Sequence, residues 1–521
     1  MKIKGILAAF AVLVIFITLQ FLLPLVADRV TLTLLIFLVA LGLMLAIFFV
    51  GGEFRWRLFL FTVFIATQTG ELGVYFGGRL STFHFEYLVM LAFIAWVLFD
   101  FSLNRPKTRM PWVVLFAFGL YGFTKILSLY YQMAIPWFNP FVEGGISDLN
   151  VIGRNVAVWL LTVAFVAAVH VYANSWKRVE AFVSLIILGA VLHSLLGVVE
   201  YLFPNQYYNL YIRLFPDRYE EVIRRGFYYK NIMGLFENGR GFATWLAFAT
   251  PLVLYLCFYA KTNARRIGSA FLLLIILTAV FFTGSRAPSA IILISMYTFI
   301  IIGTKIKYSI PLTTALSAGL VFILLFGSQL AAVLPQNNLL DRWFNPTGGT
   351  FATLEPRKDI WRVAVDRWRE NKLTGMGAGE FIQSQRKRFA LGQELPAAHN
   401  AYIETLVDTG VIGALALAFL IGVTLRVGYV SWKKASRGKP RALATALGVA
   451  ITSSYIAGFT EPAFIAHKHL FLYTLFLSFM IKIPQVTAES TVTVEESPPM
   501  AVPARRVTGK RPIGELPSPA E

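Results

Sequence analysis

Charged residues are scarce in this sequence: Asp, Glu, Lys and Arg make up 14% of its 521 residues, where a soluble domain carries nearer about 25%. That shortage excludes an ordinary water-soluble chain of this length. Cysteine is scarcer still. Its single copy, Cys257, lies inside an apolar run, which excludes an intramolecular disulfide and a cysteine metal cage. Acidic residues are fewer than basic ones, 28 against 47, and no cluster of them resembles a cation site. Internal repeats and a nucleotide-binding domain are also missing. The segment GMGAGEF (375–381) has the look of a dinucleotide loop, but it follows a helix-like stretch rather than a strand and reads as a turn.

Apolar residues fill the space that charge leaves. They make up 57% of the chain, and the mean hydropathy is +0.65. The net charge of +19 does not point to nucleic acid, because the Lys and Arg residues sit between apolar segments rather than on a separate domain. It fits cationic cytoplasmic loops and contact with anionic lipid. A bilayer core needs about 20 apolar residues per helix. On that basis spans are predicted near 5–26, 30–50, 58–76, 84–100, 112–131, 155–173, 179–203, 241–260, 267–282, 287–303, 309–328, 404–425, 442–460 and 466–483. The fold class is therefore an all-α, polytopic transmembrane bundle of about 12–14 spans. Lys2 and Lys4 precede the first apolar run, which is long for a cleavable signal and reads as a retained span.

Basic residues at 55–57, 105–109, 177–178, 261–266, 305–307 and 426–441 all fall on one side of such a bundle. The positive-inside rule makes that side, with both termini, cytoplasmic. Six regions follow: N-terminal helices (1–203), an external loop (204–240), central helices (241–328), a large external loop with amphipathic helices (329–403), C-terminal helices (404–483) and a disordered cytoplasmic tail (484–521). The two external loops are also rich in Arg and Lys. Topology does not require those cations, and an anionic ligand would explain them.

Three stretches carry candidate chemistry. In FFTGSRAPSAIIL (281–293), a short link holds Arg286 at the tip of a helical hairpin; the alternative is an arginine that snorkels to the interface. In EPRKDIWRVAVDRWREN (355–371), Ile360, Ala364, Val365 and Trp368 recur at helical spacing, so an amphipathic helix is predicted with Arg357 in its first turn. Arg357 there binds an anion together with free N–H groups, or the helix merely adheres to head groups. In AAHNAYIETLVDTGVIG (397–413), His399 and Asn400 stand just before a span. Asn400 is a helix cap in the plain reading, while His399 at a bundle mouth is also placed to act as a general base. Glu461, next to Pro462, supports a site or ends a helix. Arg240 directly precedes a span within ENGRG, and Arg224 shares the same loop.

In order, TGSR between two spans, PRxxIW with a downstream GxGxGEF, and HNAYxExLxxxGxxG entering a span resemble the O-antigen ligase family, over roughly 230–470. That family includes Wzy-type O-antigen and exopolysaccharide polymerases. Ala287-Pro288 after Arg286, and Arg240-Gly241 where asparagine would be expected, depart from its pattern. The resemblance implies an inverting membrane glycosyltransferase of surface-polysaccharide (lipopolysaccharide or exopolysaccharide) biosynthesis, in the bacterial inner membrane. Its donor would be an undecaprenyl-diphosphate-linked glycan at the periplasmic face. Its acceptor would be a hydroxyl of a second glycan or of lipid A core, with other polysaccharide-assembly proteins as partners. His399 would be the base, Arg286 and Arg357 the diphosphate clamp, and Arg240, Arg224, Asn400, Tyr402 and Glu461 would support them. A diphosphate leaving group needs positive charge rather than a proton, so guanidinium groups can do the work without a metal or cofactor. A transporter of a small anion or of the lipid-linked sugar is the rival reading. Paired interrupted helices, the usual transporter signature, are not visible in the sequence.

Overall fold

The computed structural model describes residues 73–74, 83–84, 94, 111–134, 159, 162–167, 169–214, 232–234, 236, 239–333, 340, 344, 354–377, 379, 381, 398–461 and 467–495. The predicted spans at 5–26 and 30–50, together with Arg224 and residues 496–521, lie outside them. Gly73–Val74 (β1) pairs antiparallel with Phe83–His84 (β2), so the spans predicted over 58–76 and 84–100 are cut at those ends. Otherwise the described elements are helical, and the protein is an all-α, polytopic membrane protein.

The helices are α1 (Trp112–Ala134), α2 (Trp176–Leu202), α3 (Pro204–Leu214), α4 (Gly239–Tyr259), α5 (Asn263–Thr283), α6 (Arg286–Gly303), α7 (Ile306–Val333), α8 (Leu354–Glu370), α9 (Ala401–Lys434), α10 (Lys439–Ala457) and α11 (His467–Glu495). Six of them, α2, α4, α5, α6, α7 and α9, are long and apolar enough to cross a bilayer. Helix α10 is not apolar enough for that group. Its Ala, Thr and Ser residues let it pack tightly against α4, α6 and α11 instead. Helix α11 continues to Glu495, so it enters the region predicted to be a disordered tail from 484.

Helix α4 is the axis of the bundle. It packs against α5, α6 and α10, and its Phe242, Trp245 and Phe248 are almost fully buried, the first two against His193 of α2 and Phe236 and the third against His469 of α11. Short links keep successive helices antiparallel. Thr262 caps α5 by accepting from the Arg265 N–H, and Gly284 closes it in the left-handed region at φ 62°. This connectivity sorts the links to two ends. The starts of α4, α6 and α9, and the last residues of α2, α5 and α10, share one rim. The 260–262, 304–305 and 435–438 links lie at the other.

Helix α9 is broken at Gly410, whose φ of 66° and ψ of −165° leave the helical region. A break frees backbone groups that lipid cannot satisfy. The segment after α8 satisfies them here. Val411 and Ile412 donate to the Lys372 and Leu373 carbonyls, while the Val407 and Asp408 carbonyls accept from Met376 and Gly377. Gly379 N–H donates to Asp408 Oδ2 at 2.9 Å. A Cβ on Gly410 would lie 2.2 Å from the Leu373 oxygen, so glycine is required there. Within the GMGAGEF segment Gly375, Gly377 and Gly379 take positive φ, as a turn requires, and these glycines dock into the helix break.

Candidate active site

The rim gathers residues from four links. Asn400 caps α9, its side-chain oxygen accepting from Tyr402 N at 3.0 Å and Ile403 N at 3.1 Å. The plain reading of Asn400 is therefore right. His399 is a different matter. It holds φ at 49°, a left-handed conformation that costs a residue with a Cβ about 1–2 kcal/mol. The neighbouring backbone pins it, since Ala401 N–H donates to the Gly458 carbonyl at 2.8 Å. Its ring meets a carboxylate rather than a carbonyl: His399 Nδ1 lies 3.4 Å from Glu461 Oε2.

The other oxygen of Glu461 pairs with Arg240 Nη1. Burial alone would raise the Glu461 carboxyl, but the His399 hydrogen bond and the Arg240 charge outweigh it and bring it to about 2. The carboxylate is charged at any physiological pH and faces both groups. Tyr402, the second residue of α9, donates its hydroxyl to the Tyr455 carbonyl at 2.7 Å and packs on Phe459. It braces the α9–α10 contact below the rim.

Two further arginines enter this field. Arg286 starts α6 after the two-residue link Gly284-Ser285, and it lies within electrostatic reach of Arg240. Its buried Nη1 has no hydrogen-bond acceptor among the described residues. Arg357, in the first turn of α8, is pushed below its ordinary value by burial and the Arg240 charge, opposed by Glu461, with Arg286 adding to the push. Arg286 and Arg357 both feel the Arg240 charge, and Arg357 also feels Glu461, the carboxylate that Arg240 pairs with. Guanidiniums gathered in this way are suited to a multiply charged anion.

The remaining arginines of α8 are used differently. Arg362, Arg367 and Arg369 pair with Asp359, Glu370 and Asp366 on exposed turns of the same helix, contacts worth little to stability. The opposite face buries Ile360 and Ala364 with Phe381, Ala398 and Val407, and Trp361 and Trp368 pack alongside. The predicted amphipathic helix is present, docked on α9.

Sequence reasoning overlooked two charged groupings. Glu200, at the rim end of α2, accepts from the Tyr208 hydroxyl at 2.8 Å and from the Met233 and Gly234 N–H groups. It ties the segment leading to Arg240 onto α2. Lower in the bundle, Lys125 on α1 faces Glu404 and Asp408 on α9. Acids four residues apart on a membrane helix, with a lone lysine in another span, are the signal that was available.

Comparison with protein families matches residues 271–418 to a family model described as O-Antigen ligase. The match includes Arg286, Arg357 and His399 and excludes Arg240 and Glu461. Comparison with curated proteins returns no match.

Proposed function

We propose, from the match of residues 271–418 to the O-antigen ligase family model, that the protein is a membrane glycosyltransferase. It moves a glycan from undecaprenyl diphosphate to a sugar hydroxyl at the periplasmic face of the inner membrane. The observation that carries this reading is Glu461, whose two oxygens meet His399 and Arg240 within the field of Arg286 and Arg357.

The chemistry follows from those contacts. With Nδ1–H donating to Glu461, the Nε2 lone pair of His399 is free to take a proton. The acceptor hydroxyl gives its proton to Nε2 as its oxygen attacks the anomeric carbon on the face opposite the diphosphate. The bond from that carbon to the diphosphate oxygen breaks, its electron pair stays with the oxygen, and the configuration inverts. Arg286 and Arg357 stabilise the charge that accumulates there, so no metal is needed. The proton on His399 then passes to solvent. Arg240 holds Glu461 ionised, and Asn400 fixes the start of α9 beneath the histidine.

The test is transfer by the purified protein with lipid-linked donor and acceptor. His399→Ala should lower turnover by about 10²–10⁴-fold, the usual worth of a general base, with the protein still inserted and monodisperse. Wild-type turnover in that variant would sink the assignment. Deleting the gene separates two acceptors. Single repeats left on the cell surface indicate a polymerase, and full-length glycan retained on the lipid carrier indicates a ligase.

A further inference from the structure

We propose that Trp361 is a positioning residue that sets the direction of His399 relative to the anion held by Arg357; the proposal rests on the transferase reading above. Trp361 Nε1 donates to the Ala398 carbonyl at 2.7 Å, and Ala398 itself is buried. That carbonyl belongs to the peptide whose nitrogen is the His399 nitrogen. Holding its plane restrains rotation about the His399 N–Cα bond, the torsion that lies at the disfavoured value of 49°.

The restraint on the other side comes from α9 and α10, through the Asn400 cap and the Ala401–Gly458 bond. The Trp361 bond comes from α8. Arg357 stands four residues earlier on that helix, one turn away and on the same side. One indole N–H therefore links the helix that carries the cation to the peptide that aims the base. A shift of α8 would turn the imidazole with it.

Removing this bond need not release α8. Ile360 and Ala364 stay packed against Phe381, Ala398 and Val407, and the backbone bonds of residues 372–379 to α9 remain. Trp361→Phe keeps an aromatic ring and deletes the donor. A benzothiophene analogue of tryptophan, with sulfur in place of the N–H, keeps the full shape if phenylalanine proves too small. Trp368→Phe is the control, because the Trp368 N–H bonds the Lys372 carbonyl at 3.1 Å and not the peptide before His399.

Steady-state transfer should then split in a defined way. Trp361→Phe, or the analogue, should lower kcat by about tenfold or more while leaving the donor KM within about threefold, since an interaction felt in the transition state is lost. Trp368→Phe should leave both unchanged. An unchanged kcat in the Trp361 variants, or a loss confined to KM, overturns the proposal. His399→Ala measured alongside separates the two levels: if it also retains full turnover, the transferase reading fails, and if it alone is inactive, only the role of Trp361 does.

Discussion

At the end of the bundle that carries the 260–262, 304–305 and 435–438 links, arginines lie on backbone carbonyls and rings. Arg266 Nε donates to the Ala260 carbonyl at 3.1 Å. Arg441 bonds the Ala435 carbonyl at 3.0 Å and lies over the Trp432 ring. Each serves its own link, and among the described residues no carboxylate pairing joins these two arginines. At the opposite rim Arg240, Arg286 and Arg357 come from three separate helix starts; Arg240 pairs with Glu461, and Arg286 and Arg357 both lie within reach of the Arg240 charge. Isolated cations among head groups anchor an orientation. Converged cations raise one another's free energy until an anion arrives, which is the physical basis of the proposed clamp.

The comparison is broken most directly at the converged arginines. Arg286→Ala and Arg357→Ala should each lower transfer by about 10²–10³-fold, the worth of one donor in such a site, and lysine should restore it in part. Turnover and donor binding by the purified variants measure this; full activity in both removes the clamp.

Glu461 gives the next largest effect. Its carboxyl is held at about 2 against an ordinary 4.5, and a depressed folded value means stability that is complete above the ordinary value. That stability, about 3 kcal/mol, drains away as pH falls from 4.5 towards 2. Thermal unfolding in detergent should show this acid loss in the wild type and a flatter profile in Glu461→Gln.

Gly410→Ala tests whether the rim depends on the broken helix. The left-handed torsion and the collision with the Leu373 oxygen should cost about 1–3 kcal/mol, read as a lower Tm. Smallest of all is Arg266→Ala at the other end. Its exposed side chain should change unfolding by no more than ~0.5 kcal/mol and leave turnover alone. Loss of transfer in that variant would erase the distinction between the two ends.

Much of the candidate site was legible locally. TGSR marks a hairpin tip because Gly284 supplies a left-handed cap, which places Arg286 at a helix start. PRxxIW marks the first turn of an amphipathic helix, which places Arg357. HNAY marks an entry to the bundle, with Asn400 as cap. Each of these is a short-range rule about how a helix starts or stops. The Arg240–Glu461 pair was not legible as a pair, because it joins residues 221 apart in sequence through the packing of α4 against α10. The break in α9 was hidden for a similar reason. VDTGVIG reads as continuous helix unless a distant backbone is known to supply the missing hydrogen bonds.

The sequence by itself determined the solvent. Its apolar runs and scarce charge commit it to a bilayer, where unpaired backbone must form helices. It also determined which residues stand at helix ends, since capping is decided within a few residues. Only the tertiary structure decided that three of those arginines lie near one another, that one of them pairs with a carboxylate that also meets His399, and that an indole of α8 holds the peptide before it. Those contacts depend on which helices pack together and at what height. The energy that decides packing is spread over α4 and its neighbours, and no motif at the rim contains it.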